Sequence, residues 1–481
     1  MVNLWATLEA DSEIDSEAPP SISGVDLHLD VTGSGLRTGL MDALRDAVRT
    51  GRLAPGTRLP SSRSLAGDLG IARNTVADSY AELIAEGWLV AQQGSGTRVA
   101  NRSRPRRSAP AAPRTALSRP RYGLMPGSPN VAEFPRAQWL AAARRALTAV
   151  PHDAFGYGDA LGRVELRTVL ADYLARSRGV FAEPERIVIC SGFHHGLMLM
   201  GQVLRARRVR SVAVESYGYD VYRDLLTGAG LRTPPLYVDE HGARTGDLAQ
   251  LNVGAVLMTP AHQYPTGVEL CPDRRAAAVD WARATGGLIL EDDYDGEFRY
   301  DRQPVGALQG LDAERVVYFG SASKSLAPGM RLAWMVLPEE LVPEVTAAKG
   351  YVEWSSTLDQ VTFAEFISSG AYDRHVRSMR LRYRRRRDEL VAALAERAPG
   401  IRVTGMAAGL QAVLELPRGT ERSVVQAAAE QGLAVGGMAD FRYEADAPWR
   451  LPEQDALVVG YAAPSDSAWA GALDALCSVM S

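Results

Sequence analysis

From Gly123 to the C-terminus of the 481-residue chain, short runs of β-branched residues alternate with longer stretches of helical periodicity. This alternation predicts an α/β fold with a doubly wound, mostly parallel sheet that helices cover on both faces. Ligands of such folds bind beyond the carboxyl ends of the strands, so the side chains that follow a predicted strand are the first functional candidates. The predicted strands are Ile187–Cys190, Val212–Glu215, Ala255–Thr259, Leu288–Asp292, Val316–Gly320 and Leu332–Leu337.

The composition divides the chain into four segments. Residues 1–25 are acidic, with five acids and no base among the first seventeen, and are expected to form a flexible tail. Residues 26–100 have the apolar spacing of a compact helical module. Residues 101–125 are rich in arginine and proline, which predicts an extended linker whose arginines could contact phosphates. Residues 126–481 form the predicted α/β domain.

The segment 26–100 is predicted to contain three helices and a hairpin. Leucine and valine recur at four-residue spacing from Leu36 to Val48, which indicates the first amphipathic helix. Ser61 or Ser62 can cap a second helix, and a third begins near Arg73. The string WLVAQQGSGTRVA then predicts two short strands joined by a turn. Three helices followed by a hairpin are the layout of a winged helix-turn-helix.

The string LPSSRSLAGDLGIARNTVADSYAELIAEGWLVAQQGSGTRVA resembles the GntR-type DNA-binding domain. Arginine binds phosphate or guanine through two hydrogen bonds, and a helix N-terminus favours anions. The alternative is that these arginines are solvated surface charges, because residues 26–100 hold eight arginines and eight acids. This neutral balance suggests that two copies of the module, together with the arginine linker, are needed for useful affinity, so the expected partner is double-stranded DNA with paired half-sites. The DNA-contacting residues that the resemblance implies are Arg63, Arg73, Asn74, Thr75, Gly94, Gly96 and Thr97.

One lysine of the α/β domain stands in a special context. Only two of the 53 basic residues are lysines, and Lys324 follows a predicted strand in FGSASKSLAPGMRLAW. Pyridoxal 5′-phosphate (PLP) requires an amine to form a Schiff base and hydrogen-bond donors for its phosphate. Ser321, Ser323 and Arg331 beside Lys324 supply such donors. The sequence therefore predicts a PLP site at this strand end.

A second strand end supports this prediction. The string EDDYDGEF follows the apolar run LIL and places Asp292 and Tyr294 near the same edge of the sheet. A carboxylate beside the pyridine nitrogen keeps that nitrogen protonated, and a tyrosine hydroxyl can bind the phenolic oxygen. A cation-binding acidic loop is the alternative. Further candidates for the cofactor site are Gly192 and Phe193 at a helix start, Tyr219 for stacking on the ring, and His262 in HQYPTG.

Together these residues resemble a fold-type-I aminotransferase, and the whole of residues 26–481 resembles the MocR/GabR family of transcriptional regulators. The resemblance implies that Lys324 is the internal-aldimine lysine. It also implies a head-to-tail homodimer in which each DNA-binding module lies over the partner's body and Tyr157 reaches the phosphate across the interface. The string HVRSMRLRYRRRRDEL (375–390) resembles the helix between the large and small parts of this family.

The sequence departs from working aminotransferases at two places. Tyr264 stands before Pro-Thr-Gly where those enzymes usually have asparagine, which favours a regulator. The stretch ALVVGYA lacks their carboxylate-binding arginine, so Arg442 and then Arg450 become candidates for an effector carboxylate, unless they are surface charges. His194 and His195 are interpreted as helix-surface or core residues, and no metal is expected.

The favoured hypothesis is a PLP-dependent DNA-binding regulator that senses either PLP, as in PdxR-type control of vitamin B6 synthesis, or an amine or amino acid. The main alternative is an active aminotransferase with a tethered DNA-binding module. A body that serves only as a dimerisation scaffold is a weaker one. The chain shows no apolar run near the roughly 18 residues that span a bilayer and no secretory signal, which predicts a cytoplasmic protein.

Overall fold

The computed structural model describes residues 3–6, 27–30, 35–92, 96–101, 120–300, 306–350, 355–443 and 454–480. The chain divides into two compact units, residues 1–117 and 118–481. Most of the predicted tail and linker, together with Gly94 and Arg450, lie outside the described residues. Among the residues that are described, no helix has both the length and the apolar character needed to cross a membrane.

The first unit contains the predicted three helices and hairpin. Leu40 and Leu44 of the first helix pack on Leu65 of the second and Val76 of the third in one buried cluster. Two short strands near the N-terminus pair antiparallel, so the segment predicted as a tail includes a strand at its start. The elements are β1 Asn3–Ala6, β2 Leu27–Asp30, α1 Leu36–Thr50, α2 Ser62–Leu69, α3 Arg73–Ala85, β3 Leu89–Gln92 and β4 Gly96–Val99.

The second unit is an α/β domain with a smaller C-terminal part. Its strands are β5 Tyr122–Gly123, β6 Ile187–Cys190, β7 Val212–Glu215, β8 Pro235–Leu236, β9 Val238–Asp239, β10 Gly242–Ala243, β11 Ala255–Met258, β12 Leu288–Asp292, β13 Val316–Ser321, β14 Ala333–Val336, β15 Arg402–Thr404, β16 Ala412–Glu415, β17 Leu433–Ala434, β18 Gly436–Gly437 and β19 Ala456–Val459. Its helices are α4 Arg136–Ala149, α5 Val164–Arg178, α6 Phe193–Ala206, α7 Asp220–Gly228, α8 Leu248–Leu251, α9 Pro272–Thr285, α10 Val342–Lys349, α11 Thr357–Ser368, α12 Ala371–Arg397, α13 Glu421–Glu430 and α14 Asp466–Met480.

A seven-stranded sheet forms the centre of this unit, in the order β6-β14-β13-β12-β11-β7-β8. It contains all six predicted strands, and the pairs from β13 to β8 are parallel, which confirms the predicted fold. Strand β14 runs antiparallel to both of its neighbours. The connection from β13 to β14, residues 322–332, is too short for a crossover helix, so the chain turns back on itself. Lys324 lies in that connection.

A four-stranded sheet in the order β15-β16-β19-β18 forms the smaller C-terminal part. The long helix α12, predicted over 375–390, leads into it. Arg386 of this helix is buried and donates to the carbonyl oxygens of Tyr461, Ala462 and Pro464. These hydrogen bonds join α12 to the segment that follows β19. Strand β5 pairs in parallel with β17, so the last residues of the predicted linker belong to the second unit.

Candidate functional site

A cavity of about 330 Å³ opens at the carboxyl ends of β12 and β13, a size typical of small-molecule sites. Because parallel strands end at the same edge of a sheet, Asp292 and Ser321 are brought together although they are distant in sequence. The cavity thus unites most of the predicted cofactor residues. Its lining is Pro126, Gly127, Ser128, Phe193, His194, Tyr219, Tyr222, Tyr264, Asp292, Tyr294, Ser321, Ser323, Lys324, Pro328 and Arg331.

The electrostatics of the cavity depend on Lys324 and Asp292. Burial lowers the pKa of the Lys324 amine, and the carboxylates of Asp292 and Asp295 partly oppose this shift. Burial raises the pKa of Asp292 well above the ordinary aspartate value, which Lys324 partly opposes. The Lys324 amine donates a hydrogen bond to the carbonyl oxygen of Gly127. A lowered amine pKa increases the neutral, nucleophilic fraction of Lys324.

The opposite end of the cavity is suited to an anion. Gly192 precedes α6 with φ of 86°, and Phe193, the first residue of this helix, lines the cavity, so the N-terminus of α6 lies at the cavity edge. The Arg331 guanidinium lies against Gly192 and donates to the carbonyl oxygen of Ser191 at 2.9 Å. The backbone amide of Ser323 donates to the Ser321 hydroxyl at 3.4 Å. Serine hydroxyls, helix amides and an arginine are together the donor set that a phosphate requires.

Tyrosine rings form much of the remaining wall. Tyr219 is 46% exposed and lies edge-on to Tyr222, with ring centroids 5.7 Å apart. Tyr264 lies edge-on to Tyr294 at 5.7 Å. A buried carboxyl group, a lysine with a lowered pKa and an anion-binding end fit the ring nitrogen, the aldehyde and the phosphate of PLP. The residues present therefore fit this cofactor.

His262 occupies a different place from the one predicted. His262 does not line the cavity, whereas Tyr294 does. The His262 ring stacks on the Tyr294 ring, with the two centroids 6.1 Å apart. Its Nδ1 atom is 3.0 Å from the Tyr294 hydroxyl and 2.8 Å from Asp295 Oδ2. His262 thus contacts the back of a cavity residue.

Two further predicted residues that the structure describes, Arg442 for an effector and Tyr157 for the interface, do not line the cavity. Arg442 lines a neighbouring cavity of about 210 Å³ together with Tyr217, Glu421 and Met438. It forms a backbone bridge with Tyr217, two residues before Tyr219. Tyr157 is 96% exposed.

The sequence interpretation missed four parts of the cavity wall: the loop Pro126–Ser128, His194, Tyr222 and Pro328. The Gly-Pro content of the loop was visible but has no specific chemical signal. His194 was interpreted as a surface or core residue. In the structure it lies at the cavity, where burial, Arg331 and Lys324 lower its pKa.

In the first unit, Arg73 and Asn74 begin α3 and are exposed, Thr75 is half-buried, and Arg63 is exposed at the start of α2. Four other arginines of the unit are held in ion pairs. Within the described part of the chain, no ion pair involves Arg63 or Arg73. The paired arginines are Arg37 with Glu82, Arg45 with Glu86 and Asp42, and Arg49 and Arg52 with Asp46.

The hairpin adds arginines that the sequence interpretation did not select. Gly96 has φ of 86°, and the Arg58 side chain lies against it. Arg98, next to Thr97, donates to the carbonyl oxygen of Gly56 at 3.0 Å. Arg58 and Arg98 pair through their backbones, which places Arg58 beside strand β4 of the hairpin.

Two protein-family models match the chain, one in each unit. Residues 36–99 match the bacterial regulatory proteins of the gntR family, and residues 128–452 match class I and II aminotransferases. A protein described as a probable rhizopine catabolism regulatory protein, MocR, of Rhizobium meliloti is 32% identical over 88% of this chain and 89% of its own length. The HTH-type pyridoxine biosynthesis transcriptional regulator PdxR of Corynebacterium glutamicum is 31% identical over 85% and 89%.

Solved structures share the fold of the second unit. An archaeal alanine:glyoxylate aminotransferase superposes with a TM-score of 0.66 and 24% identity, and the match covers 75% of this chain and 90% of that enzyme.

Proposed function

The chain belongs to the MocR-type transcriptional regulators, in which a gntR-family helix-turn-helix domain precedes a class I and II aminotransferase domain, and on this premise we propose that its DNA binding responds to PLP held at Lys324. The observation that carries this proposal is the cavity that unites Lys324, Asp292 and Arg331. The similarity to a pyridoxine biosynthesis regulator supports PLP itself as the signal.

Each side chain has a defined task in this proposal. PLP supplies an aldehyde carbon that combines reversibly with amines. Lys324 provides the amine, and its lowered pKa favours the neutral form that reacts. Asp292 holds the proton of the ring nitrogen, and Tyr294 binds the phenolic oxygen. Arg331, with Ser321, Ser323 and the start of α6, binds the phosphate.

The first unit binds DNA through the start of α3 and the wing in this proposal. Arg73 and Asn74 face the major groove, and Arg63 contacts a phosphate. The ion pairs of α1 engage other arginines with Asp46, Glu82 and Glu86, and so leave Arg63 and Arg73 available for the duplex.

A homodimer completes the assembly. Several large apolar side chains close to Tyr157 in sequence are exposed on this chain, as expected of residues that a second copy covers. Two copies would present two winged helices to paired half-sites, and the head-to-tail arrangement would bring Tyr157 to the partner's phosphate end. The exposed residues are Leu140, Leu147, Phe155, Tyr157 and Val164.

An amino acid that joins the cofactor is the second candidate signal. The backbone bridge between Tyr217 and Arg442 ties the neighbouring cavity to the segment that carries Tyr219. The carboxylate of an amino acid bound at the cofactor would then pair with Arg442.

A gel-shift titration of the DNA upstream of the protein's own gene tests the proposal. It compares the PLP-free protein, the PLP-loaded protein and the Lys324→Ala variant with PLP. We expect PLP to change the affinity of the wild type but not that of the variant. DNA binding that ignores PLP and changes only when an amine is added would favour the second candidate. No DNA binding, with glutamate formed from amino acids and 2-oxoglutarate, would favour an aminotransferase.

A further inference from the structure

Behind the cavity wall, the second unit contains a closed hydrogen-bond network around Tyr294. His262 Nδ1 lies 2.8 Å from Asp295 Oδ2 and 3.0 Å from the Tyr294 hydroxyl. Gln411 Nε2 donates to the same hydroxyl at 2.8 Å. All four side chains are at least nine-tenths buried. The network thus ends on a residue that lines the cavity.

The partners of His262 define where its proton lies. The Asp295 carboxylate can only accept, so the proton of the imidazole is on Nδ1. His262 Nε2 is buried and has no hydrogen-bond partner among the described residues, which disfavours a proton there. Asp295 therefore keeps a proton on Nδ1 of His262.

The position of this proton decides the direction of the Tyr294 hydroxyl. The Tyr294 oxygen accepts from Gln411 and shares the Nδ1 proton of His262. With two donors on its oxygen, Tyr294 has its own proton left to donate elsewhere. The remaining direction is the cavity that Tyr294 lines. With the opposite tautomer, Nδ1 would accept the Tyr294 proton and draw it away from the cavity.

The backbone around the pair is built to accommodate it. Gly409 has φ of 71°, and a Cβ atom at this position would lie 2.2 Å from His262 Cε1 and 2.5 Å from Asp295 Oδ2. The Tyr461 hydroxyl donates to the carbonyl oxygen of Gly409 at 2.9 Å, and Tyr300 donates to the same oxygen. Only glycine at position 409 therefore leaves room for the His262–Asp295 pair beneath it.

We propose that Asp295 and His262 are positioning residues that fix the Tyr294 hydroxyl as a hydrogen-bond donor to the phenolic oxygen of PLP. This inference rests on the proposed function, since it concerns the same cavity. The charged and titratable groups that face Tyr294 are His262, Asp292, Asp295, Tyr264 and Lys324, and Tyr300 and Tyr461 lie beyond Asp295.

The pH dependence of the visible absorbance of bound PLP reports this bond. A donor on the phenolic oxygen stabilises its negative charge, so a proton shared with the Lys324 nitrogen is held less tightly. Loss of the donor should therefore raise the midpoint of the absorbance titration, by about one pH unit for Tyr294→Phe. We expect Asp295→Asn and His262→Leu to raise it in the same direction. A neutral asparagine holds the Nδ1 proton less strongly than the carboxylate does, so Nδ1 can then accept the Tyr294 proton in a fraction of the molecules.

The direction in which the absorbance midpoint shifts distinguishes a positioning role of Asp295 from a direct effect of its charge on Lys324. The Asp295 carboxylate favours the protonated form of the Lys324 nitrogen. If Asp295 acted only through its charge, Asp295→Asn would lower the midpoint. His262→Asn is the conservative control, because its amide can supply a donor close to the Nδ1 position and should keep the midpoint near that of the wild type.

The double variant Asp295→Asn/Tyr294→Phe completes the cycle. If Asp295 acts through Tyr294, Asp295→Asn produces no further rise of the midpoint in the Tyr294→Phe background, where only the loss of its charge remains. The inference is wrong if the midpoint falls or stays constant in Asp295→Asn and His262→Leu. It is also wrong if Asp295→Asn shifts the midpoint equally in the wild type and in Tyr294→Phe. Either result would leave the proposed function intact. A wild type that shows no visible band with PLP would overturn the proposed function as well.

Discussion

The guanidinium of Arg331 lies so close to the backbone of Gly192 that a Cβ atom there would come within 2.7 Å of Arg331 Nη2. This contact joins the start of α6 to the strand connection that carries Lys324. It brings the two anion-binding features of the cavity, a helix N-terminus and an arginine, to one place.

The substitution Gly192→Ala should displace Arg331 and weaken PLP binding. Loss of a charge-assisted hydrogen bond costs about 1.5–3 kcal/mol, which corresponds to a roughly 10- to 100-fold higher Kd. Absorbance titration with PLP measures this change. Gly350→Ala is the matched control, because Gly350 has the same φ of 86° and a similarly extended ψ but no atom within 4 Å of its Cβ position. Equal losses in both variants would show that backbone strain, and not Arg331, is responsible.

Borohydride reduction of the PLP-loaded protein should attach the pyridoxyl group to Lys324. The chain has one other lysine, Lys349, whose amine donates to the carbonyl oxygens of Ala160 and Ile189 in the interior. Peptide mass spectrometry distinguishes the two without any substitution. A label on Lys349 would contradict the assignment of Lys324.

The residues at the strand ends were predictable from sequence, because the apolar pattern of a strand is local and the rule for parallel sheets is general. Each of Asp292 and Lys324 follows an apolar run, and parallel strands bring such positions to one edge of a sheet. The Gly127 carbonyl that accepts from Lys324 was not predictable. Its position depends on the pairing of β5 with β17, more than 300 residues away along the chain.

The location of His262 was missed for a related reason. Its motif lies directly after β11, so the sequence indicated the correct neighbourhood. Whether it faces the cavity or the back of Tyr294 depends on Gly409 and Gln411, which the C-terminal part supplies. Side-chain networks between distant segments leave no periodic signal in the sequence.

Glu215 should make the stability of the PLP-free protein depend on pH. Burial raises the pKa of Glu215 from 4.5 to about 7, while Thr259 and Gln263 donate to one of its oxygens. Between these two values the folded state binds the proton and the unfolded state does not. The contribution of this group to stability therefore falls as the pH rises through that window.

The isosteric variant Glu215→Gln removes this titration, since its amide oxygen can replace the accepting carboxylate oxygen. At pH 8 it should be more stable than the wild type by roughly 1–3 kcal/mol, with little difference near pH 4.5. Urea unfolding at several pH values measures both proteins. Parallel stability curves would contradict the shifted pKa of Glu215.

Arg73→Ala should reduce specific DNA affinity by about 1–3 kcal/mol if Arg73 binds a base. Fluorescence anisotropy with a duplex selected by the wild type measures this loss. The matched control is Arg49→Ala, because Arg49 is also exposed on a helix of the same unit but is paired with Asp46. A larger loss in Arg49→Ala than in Arg73→Ala would contradict the assigned DNA-binding face.

Subunit complementation tests whether Tyr157 serves the partner's cofactor site. Tyr157 is almost fully exposed on its own chain, so in the proposed homodimer its hydroxyl binds the PLP phosphate of the other copy. Tyr157→Ala should then weaken PLP binding roughly 10- to 100-fold, and Lys324→Ala should abolish the visible band. In a mixed dimer of these two variants, one site has both Lys324 and Tyr157, whereas the other has neither.

Unfolding and refolding an equal mixture of the two variants should restore tight PLP binding at about a quarter of all sites, because half of the randomly formed dimers are mixed and each has one intact site. The two variants kept apart should show no such sites, and neither should a mixture that has not been refolded if subunits exchange slowly. If Tyr157 acted within its own chain, every site that keeps Lys324 would belong to a Tyr157→Ala subunit and would therefore lack the tyrosine. The tight sites would then be absent, which separates the two arrangements in one titration.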